Sequence, residues 1–113
     1  EHFTNRTALH CAVSMHADGQ DDRMLDLLVG GGADLEARDY KGETPLHLAV
    51  KGDKKHGMGY VNWLLDHGAV VDARDDKGVT PLHVAAYIGT YFIIYLLCLH
   101  GADVMVKDLD GRT

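Results

Sequence analysis

The sequence predicts an all-α solenoid of stacked helix-turn-helix units. A tetrapeptide recurs as TALH, TPLH and TPLH, beginning at Thr7, Thr44 and Thr80, at spacings of 37 and 36 residues. A second block follows each start, as GGADLEARDYKG, HGAVVDARDDKG and HGADVMVKDLDG. Repeats of this length are typical of solenoids, in which each unit buries its apolar face against its neighbours.

Each unit is expected to hold two helices and a turn. Thr44 and Thr80 are favourable N-cap residues, and the proline after each suits the first helical position, where its missing N–H is not needed. The apolar blocks MLDLLV, YVNWLL and IIYLLC predict the second helices. A glycine follows each block where a left-handed C-cap is expected, at Gly32, Gly68 and Gly101. The segments DYKG, DDKG and DLDG are typical of tight turns.

The segments TPLHLAV and TPLHVAAYIG, together with the GGAD and HGAD blocks, resemble ankyrin repeats over essentially all 113 residues. The resemblance implies antiparallel helix pairs stacked side by side, with hairpin-like loops that project from them. We expect one domain over residues 1–113, with units at about 7–43, 44–79 and 80–112, that forms part of a longer array or multidomain protein. Departures from the family pattern are the longer first two units, TALH at Thr7, and Val70 where the family usually has Asp.

Composition excludes several classes of partner. The chain has 11 basic and 17 acidic residues and a formal net charge of -6, which disfavours nucleic acids and anionic membranes. The longest apolar run, residues 91–99, would span about 14 Å as a helix, against about 30 Å of hydrocarbon, so membrane insertion is not expected. Cys11 and Cys98 form no metal-binding or redox motif. We predict two thiols in an intracellular protein, cytoplasmic or nuclear.

Catalysis and cofactor binding are not expected. Three of the eight histidines, His10, His47 and His83, occupy the repeated tetrapeptide, and the resemblance implies hydrogen bonds within and between repeats for them. The acidic segment 18–23 lacks the ligand spacing of a calcium loop. The glycine run 30–32 follows a helix, whereas a phosphate cradle precedes one. The sequence therefore predicts no enzyme, no metal, no cofactor and no small-molecule substrate.

The resemblance implies a non-catalytic module that binds a protein partner through hairpin tips and the groove beside the first helices. By position, the tip residues are Arg38, Tyr40, Lys41, Arg74, Asp76, Lys77 and Lys107. The corresponding groove residues are Lys51, Tyr87 and Ile88. The alternative is an intramolecular structural or regulatory domain, packed against another domain of a larger enzyme or channel.

Two charge patterns leave alternatives open. A basic residue precedes the turn aspartate in every unit (Arg38, Arg74, Lys107), and this row either meets acidic side chains of a partner or pairs with the adjacent aspartates. Acids in the first inserted segment and lysines in the second either attract each other or mark a binding edge; they are Asp18, Asp21, Asp22, Lys51, Lys54 and Lys55.

The segment YFIIYLLCLHG is the second helix of the third unit. Its core positions are expected to be Ile93, Ile94, Leu96, Leu97 and Cys98. The remaining apolar residues, Tyr91, Phe92, Tyr95 and Leu99, stand on the outer side of the stack. We predict that they form an apolar docking patch for a following domain, a subunit or a partner; the alternative is that the next repeat covers them.

Overall fold

The computed structural model describes residues 7–14, 23–52, 57–109 and 111. It contains six helices, in three consecutive pairs, and no strand within those residues. The helices are α1 Ala8–Ser14, α2 Arg23–Gly30, α3 Pro45–Gly52, α4 Gly57–Asp66, α5 Pro81–Ile88 and α6 Tyr91–Leu99.

The helices form two rows. Within each unit the first helix packs against the second, as α1 with α2, α3 with α4 and α5 with α6. Between units α1 packs on α3 and α3 on α5 in the first row, and α4 packs on α6 in the second. The predicted solenoid of stacked helix pairs is therefore confirmed.

The first helices begin at the predicted caps. Thr80 is the N-cap of α5: its hydroxyl accepts a hydrogen bond from the His83 amide, and its own amide donates to Nδ1 of His83 at 3.1 Å. Thr44 and His47 repeat this exchange at the start of α3. Two amides that a helix start would leave without a partner are thus satisfied at each site, which stabilises short helices.

Each second helix leads into a hairpin-like loop through a glycine with positive φ, as predicted. The loop then turns over four residues, and the Gly42 amide donates to the Asp39 carbonyl at 2.9 Å. The Asp39 carboxylate accepts the amides of Lys41 and Glu43 at 2.9 and 3.0 Å. Asp75 holds the next turn in the same way, through the amides of Lys77 and Val79. These side-chain acceptors explain why aspartate opens each turn.

The core runs continuously through the stack. Its fully buried members include Leu9, Leu46, Leu64, Ala85, Ile93 and Leu97. The expectation of a core position is wrong for Cys98, which is exposed, whereas Ile94 and Leu96 are half-buried. Leu65, which occupies the Cys98 position in the second unit, is buried. The difference arises because α6 packs on α4, whereas the described residues place no helix on the other side of α6.

Two sequence predictions concern the rest of the fold. No helix among the described residues has both the length and the apolar character needed to cross a membrane. Both cysteines are thiols, as predicted, and both side chains are exposed. The charged residues Asp18, Asp21, Asp22, Lys54 and Lys55 of the inserted segments lie outside the described residues.

Candidate functional site

The projecting loops form a continuous surface because their backbones contact one another. The Asp76 amide donates to the Lys41 carbonyl at 3.0 Å, and the Leu109 amide donates to the Lys77 carbonyl at 2.9 Å. Gly42 lies so close to the next loop that a Cβ there would stand 2.8 Å from the Asp76 nitrogen. The tips therefore have a fixed spacing, which a row of tips needs in order to act as one binding surface.

The two arginines of the basic row are used between units. The Arg38 guanidinium donates to the Gly42 carbonyl at 3.0 Å and also to the carbonyl of Arg74 in the next loop. The Arg74 guanidinium donates to the Lys107 carbonyl at 2.6 Å. Neither sequence alternative included this role, in which each arginine binds the backbone of the following loop. The Lys107 side chain is exposed at the end of the row.

The other predicted tip residues project into solvent. Tyr40 is about half exposed, and the Lys41 ammonium lies 5.5 Å from the centroid of its ring, within range of a cation–π interaction. Asp76 and Lys77 are exposed on the neighbouring tip. The tips thus offer an aromatic ring and charges of both signs.

Beneath the tips, the tetrapeptide histidines bond to the residue directly before the next unit. Nδ1 of His47 accepts the Thr44 amide, so the proton of the neutral ring is on Nε2, which donates to the Val79 carbonyl at 2.7 Å. Burial lowers the pKa of His47, although the hydrogen bond to Val79 opposes the shift. Nε2 of His10 makes the corresponding bond to the Glu43 carbonyl at 2.8 Å. The hydrogen bonds within the repeat that the resemblance implied for these two residues are confirmed, and those of Nε2 reach the last residue before the next unit.

A cleft of about 700 Å³ opens beside α3 and α5, below the tips. It brings together all three predicted groove residues, Lys51, Tyr87 and Ile88. Tyr87 is the most exposed large apolar residue among those described, at 93%. The remaining lining residues are Val79, His83, Val84, Ala86 and Asp108.

The repeated pattern of these features identifies the family. A family model of ankyrin repeats matches the chain in three copies, over residues 9–108. The chain belongs to the ankyrin-repeat family. Ankyrin repeats are generally protein–protein interaction modules and are typically non-catalytic. The described residues include no group of three or more His, Cys, Asp or Glu side chains placed to hold a metal ion.

One feature of this ankyrin cleft was missed from the sequence. The Lys51 ammonium forms an ion pair with the carboxylate of Glu43, a residue that is only 2% exposed. The residues 36 positions later are Val79 and Tyr87. One wall of the cleft therefore has a neutralised ion pair, and the rest of its lining is mostly apolar, with His83 and Asp108 as the polar members. The two residues are eight positions apart, on either side of the start of α3. Because this is not a contact spacing within a helix, the sequence did not indicate the pair.

Four carboxylates lie between neighbouring ankyrin repeats along the second row and the loops, and three of them accept hydrogen bonds. The Asp26 carboxylate accepts the Trp63 indole N–H at 3.1 Å, and Asp66 lies 3.9 Å from Nε2 of His100. The other two acceptors are carboxylates in the loops, Glu36 for the Val70 amide at 2.9 Å and Asp72 for the Asp103 amide at 3.1 Å. Burial raises the pKa of Glu36, and the Val70 amide partly offsets this.

The predicted docking patch lies on α6. Tyr91, Phe92, Tyr95 and Leu99 are all exposed, in contrast to Ile93 and Leu97 on the opposite face of the helix. The patch and the α3–α5 cleft lie on different helices of the third repeat, α6 and α5. They are therefore treated as two surfaces.

Proposed function

We propose that this ankyrin domain is a non-catalytic adaptor that holds a segment of a protein partner in the α3–α5 cleft. The main support for this proposal is that Lys51, Tyr87 and Ile88 all line one cleft of about 700 Å³. Its apolar wall favours a partner that inserts an aromatic or aliphatic side chain, because burial of such a group supplies most of the affinity of a protein interface. The hairpin tips then contact the flanking residues of that partner.

Tyr87 is the residue expected to contribute most to binding. Its ring stands in solvent at the cleft, so a partner can cover it without any rearrangement of the core. Tyrosine offers a large apolar surface together with a hydroxyl that both donates and accepts hydrogen bonds. Lys51 is less suited to pairing with an acidic partner, because its charge already compensates buried Glu43.

Selection from a phage-displayed library of random dodecapeptides against the 113-residue chain tests the proposal. The selected peptides should share an aromatic or aliphatic anchor. Their affinity, measured by fluorescence polarisation, should fall about 10-fold or more in Tyr87→Ala, as expected for loss of a central aromatic contact.

Tyr91→Ala is the matched control, because it removes an equally exposed tyrosine from α6. The control should bind the selected peptides as tightly as the wild type. The proposal is wrong if the peptides bind Tyr87→Ala and the wild type equally well, or if only Tyr91→Ala loses them.

A further inference from the structure

The outer face of α6 carries large apolar residues at two positions where the other repeats have a polar residue or glycine. Tyr95 corresponds to Asp26 in the first repeat and Asn62 in the second, and Leu99 corresponds to Gly30 and Asp66. The four apolar side chains of α6 are exposed by 82% at Tyr91, 70% at Phe92, 62% at Tyr95 and 62% at Leu99. Water-exposed aromatic rings at this density mark contact surfaces in soluble proteins.

A further ankyrin repeat would leave the positions of Tyr95 and Leu99 exposed. The second repeat already carries the third on top of it, yet Asn62 and Asp66 are exposed. The first repeat carries the second, and Asp26 is exposed as well. Because all repeats stack in the same way, the positions of Tyr95 and Leu99 belong to the outer surface whether or not another repeat follows.

The third repeat also lacks the acceptors that bind a following repeat. Asp26 and Asp66 accept hydrogen bonds or lie close to groups of the next repeat, and Tyr95 and Leu99 stand in their places. Met105 replaces the carboxylates of Glu36 and Asp72, which accept amides of the next loop. The apolar face of α6 is therefore suited to contact with another apolar surface.

Charge favours a second copy of the chain as that occupant. Helix α6 has the sequence YFIIYLLCL, with no acidic or basic side chain, in a chain whose formal net charge is -6. Two copies that each carry this net charge repel one another, which costs free energy on association. An approach through α6 brings an uncharged helix onto an uncharged helix.

The pattern of the patch is also self-complementary. Tyr91, Tyr95 and Leu99 are four residues apart and form a stripe about 12 Å long, with Tyr95 at its centre. A two-fold axis at Tyr95 places the two Tyr95 rings together and Tyr91 of each copy against Leu99 of the other. Residues that exchange partners in this manner define the isologous interface of a symmetric dimer.

The available area suits a weak, reversible dimer. At about 150–250 Å² for each aromatic side chain, the exposed fractions of the three rings together provide roughly 300–500 Å². A standard stable interface takes about 800 Å² from each partner, and transient ones take less. We propose that two copies of this chain associate through antiparallel α6 helices, with a dissociation constant of about 10–100 µM.

Sedimentation equilibrium of the 113-residue chain tests this proposal. Between roughly 1 and 300 µM, the weight-average mass should rise from that of the monomer toward that of the dimer. The double variant Tyr95→Asn, Leu99→Asp gives α6 the side chains of the second repeat at those positions. It should retain the circular dichroism spectrum of the wild type and weaken dimerisation at least about 30-fold, because each interface then buries carboxylates without partners.

Asn62→Ala is the matched control, since it alters the same position of the second repeat and should dimerise like the wild type. Raising the salt concentration from about 50 to 500 mM should leave the dimer unchanged or strengthen it, because salt screens the repulsion between acidic chains. A wild-type chain that stays monomeric throughout the concentration range overturns the proposal. So does a dimer that persists in the double variant, or one that dissociates as salt is added.

Discussion

Nε2 of His47 lies 2.7 Å from the carbonyl oxygen of Val79, the residue directly before Thr80, where the following repeat begins. The same ring accepts the Thr44 amide through Nδ1, so one neutral imidazole closes its own helix start and holds the chain at the start of the next repeat. Both hydrogen bonds are made at once only while Nδ1 has no proton. The stability of the stack is therefore expected to depend on the protonation of this residue.

Acidification should destabilise the fold through His47. Its pKa in the folded chain is lowered by burial, from an ordinary value of 6.5 in the unfolded chain. Between the two values the unfolded chain binds more protons, so the free energy of unfolding falls as the pH falls below about 6.5 and is insensitive to His47 at higher pH. Urea denaturation of the wild type and of His47→Gln, at several pH values, measures this. Identical pH slopes for the two proteins would contradict the assignment.

Removal of Lys51 should expose the cost of burying Glu43. Lys51→Ala leaves a carboxylate in a site that is only 2% exposed, and we expect a loss of about 1–3 kcal/mol in the free energy of unfolding. The double variant Glu43→Val, Lys51→Tyr introduces the residues found 36 positions later, Val79 and Tyr87, and should recover most of the loss. Equal stability of Lys51→Ala and the wild type, in urea denaturation, would show that the ion pair does not compensate the buried charge.

Gly42 is required in the first turn both for its positive φ and because the next loop leaves no room for a side chain. Both Gly42 and Gly68 have positive φ, at 75° and 94°. A Cβ at Gly42 would stand 2.8 Å from the Asp76 backbone nitrogen, whereas at Gly68 it would meet nothing within 4 Å. Thermal denaturation should therefore show a loss of about 1 kcal/mol for Gly68→Ala and at least about 2 kcal/mol for Gly42→Ala. A larger loss for Gly68→Ala would be inconsistent with close packing of the loops.

The role of Asp72 as a hydrogen-bond acceptor can be tested by replacing it with methionine, the residue at the same position of the third repeat. Asp72→Met copies Met105 and removes the acceptor of the Asp103 amide. We expect a loss of about 0.5–1.5 kcal/mol in the free energy of unfolding, because the bond is at the surface. Asp72→Asn retains an acceptor oxygen and should lose less. A variant series in which Met and Asn are equivalent would argue against the hydrogen bond.

The sequence predicted what is repeated and missed what differs between repeats. Thr80, Pro81 and Gly101 mark their helix ends through local backbone preferences, which a sequence displays directly. The bond from Arg38 to the Arg74 carbonyl joins residues 36 positions apart, and its acceptor is a backbone atom that every residue possesses. Sequence patterns hold no signal for such a bond. The sequence therefore suggested the adjacent aspartate as a partner instead.

The candidate surfaces were predictable to different degrees. Residues of the cleft and tips came from position in the repeat, and Lys51, Tyr87 and Ile88 do lie together. The exposure of Cys98 was not predicted. A residue's position in the repeat predicts the same burial in every repeat, but the last described repeat has a neighbour on one side only. Asn62, which occupies the Tyr95 position in the second repeat, is exposed although the third repeat packs beside it, and its exposure could not be read from the sequence.

The bonds between loop backbones also make the tips reporters of motion. Amide protons in projecting loops ordinarily exchange with solvent within seconds or less, yet the amides of Asp76 and Leu109 each donate to the preceding loop. Their deuterium uptake should proceed only when two neighbouring repeats separate. The rates at these two sites would then time the separation of the first repeat from the second and of the second from the third.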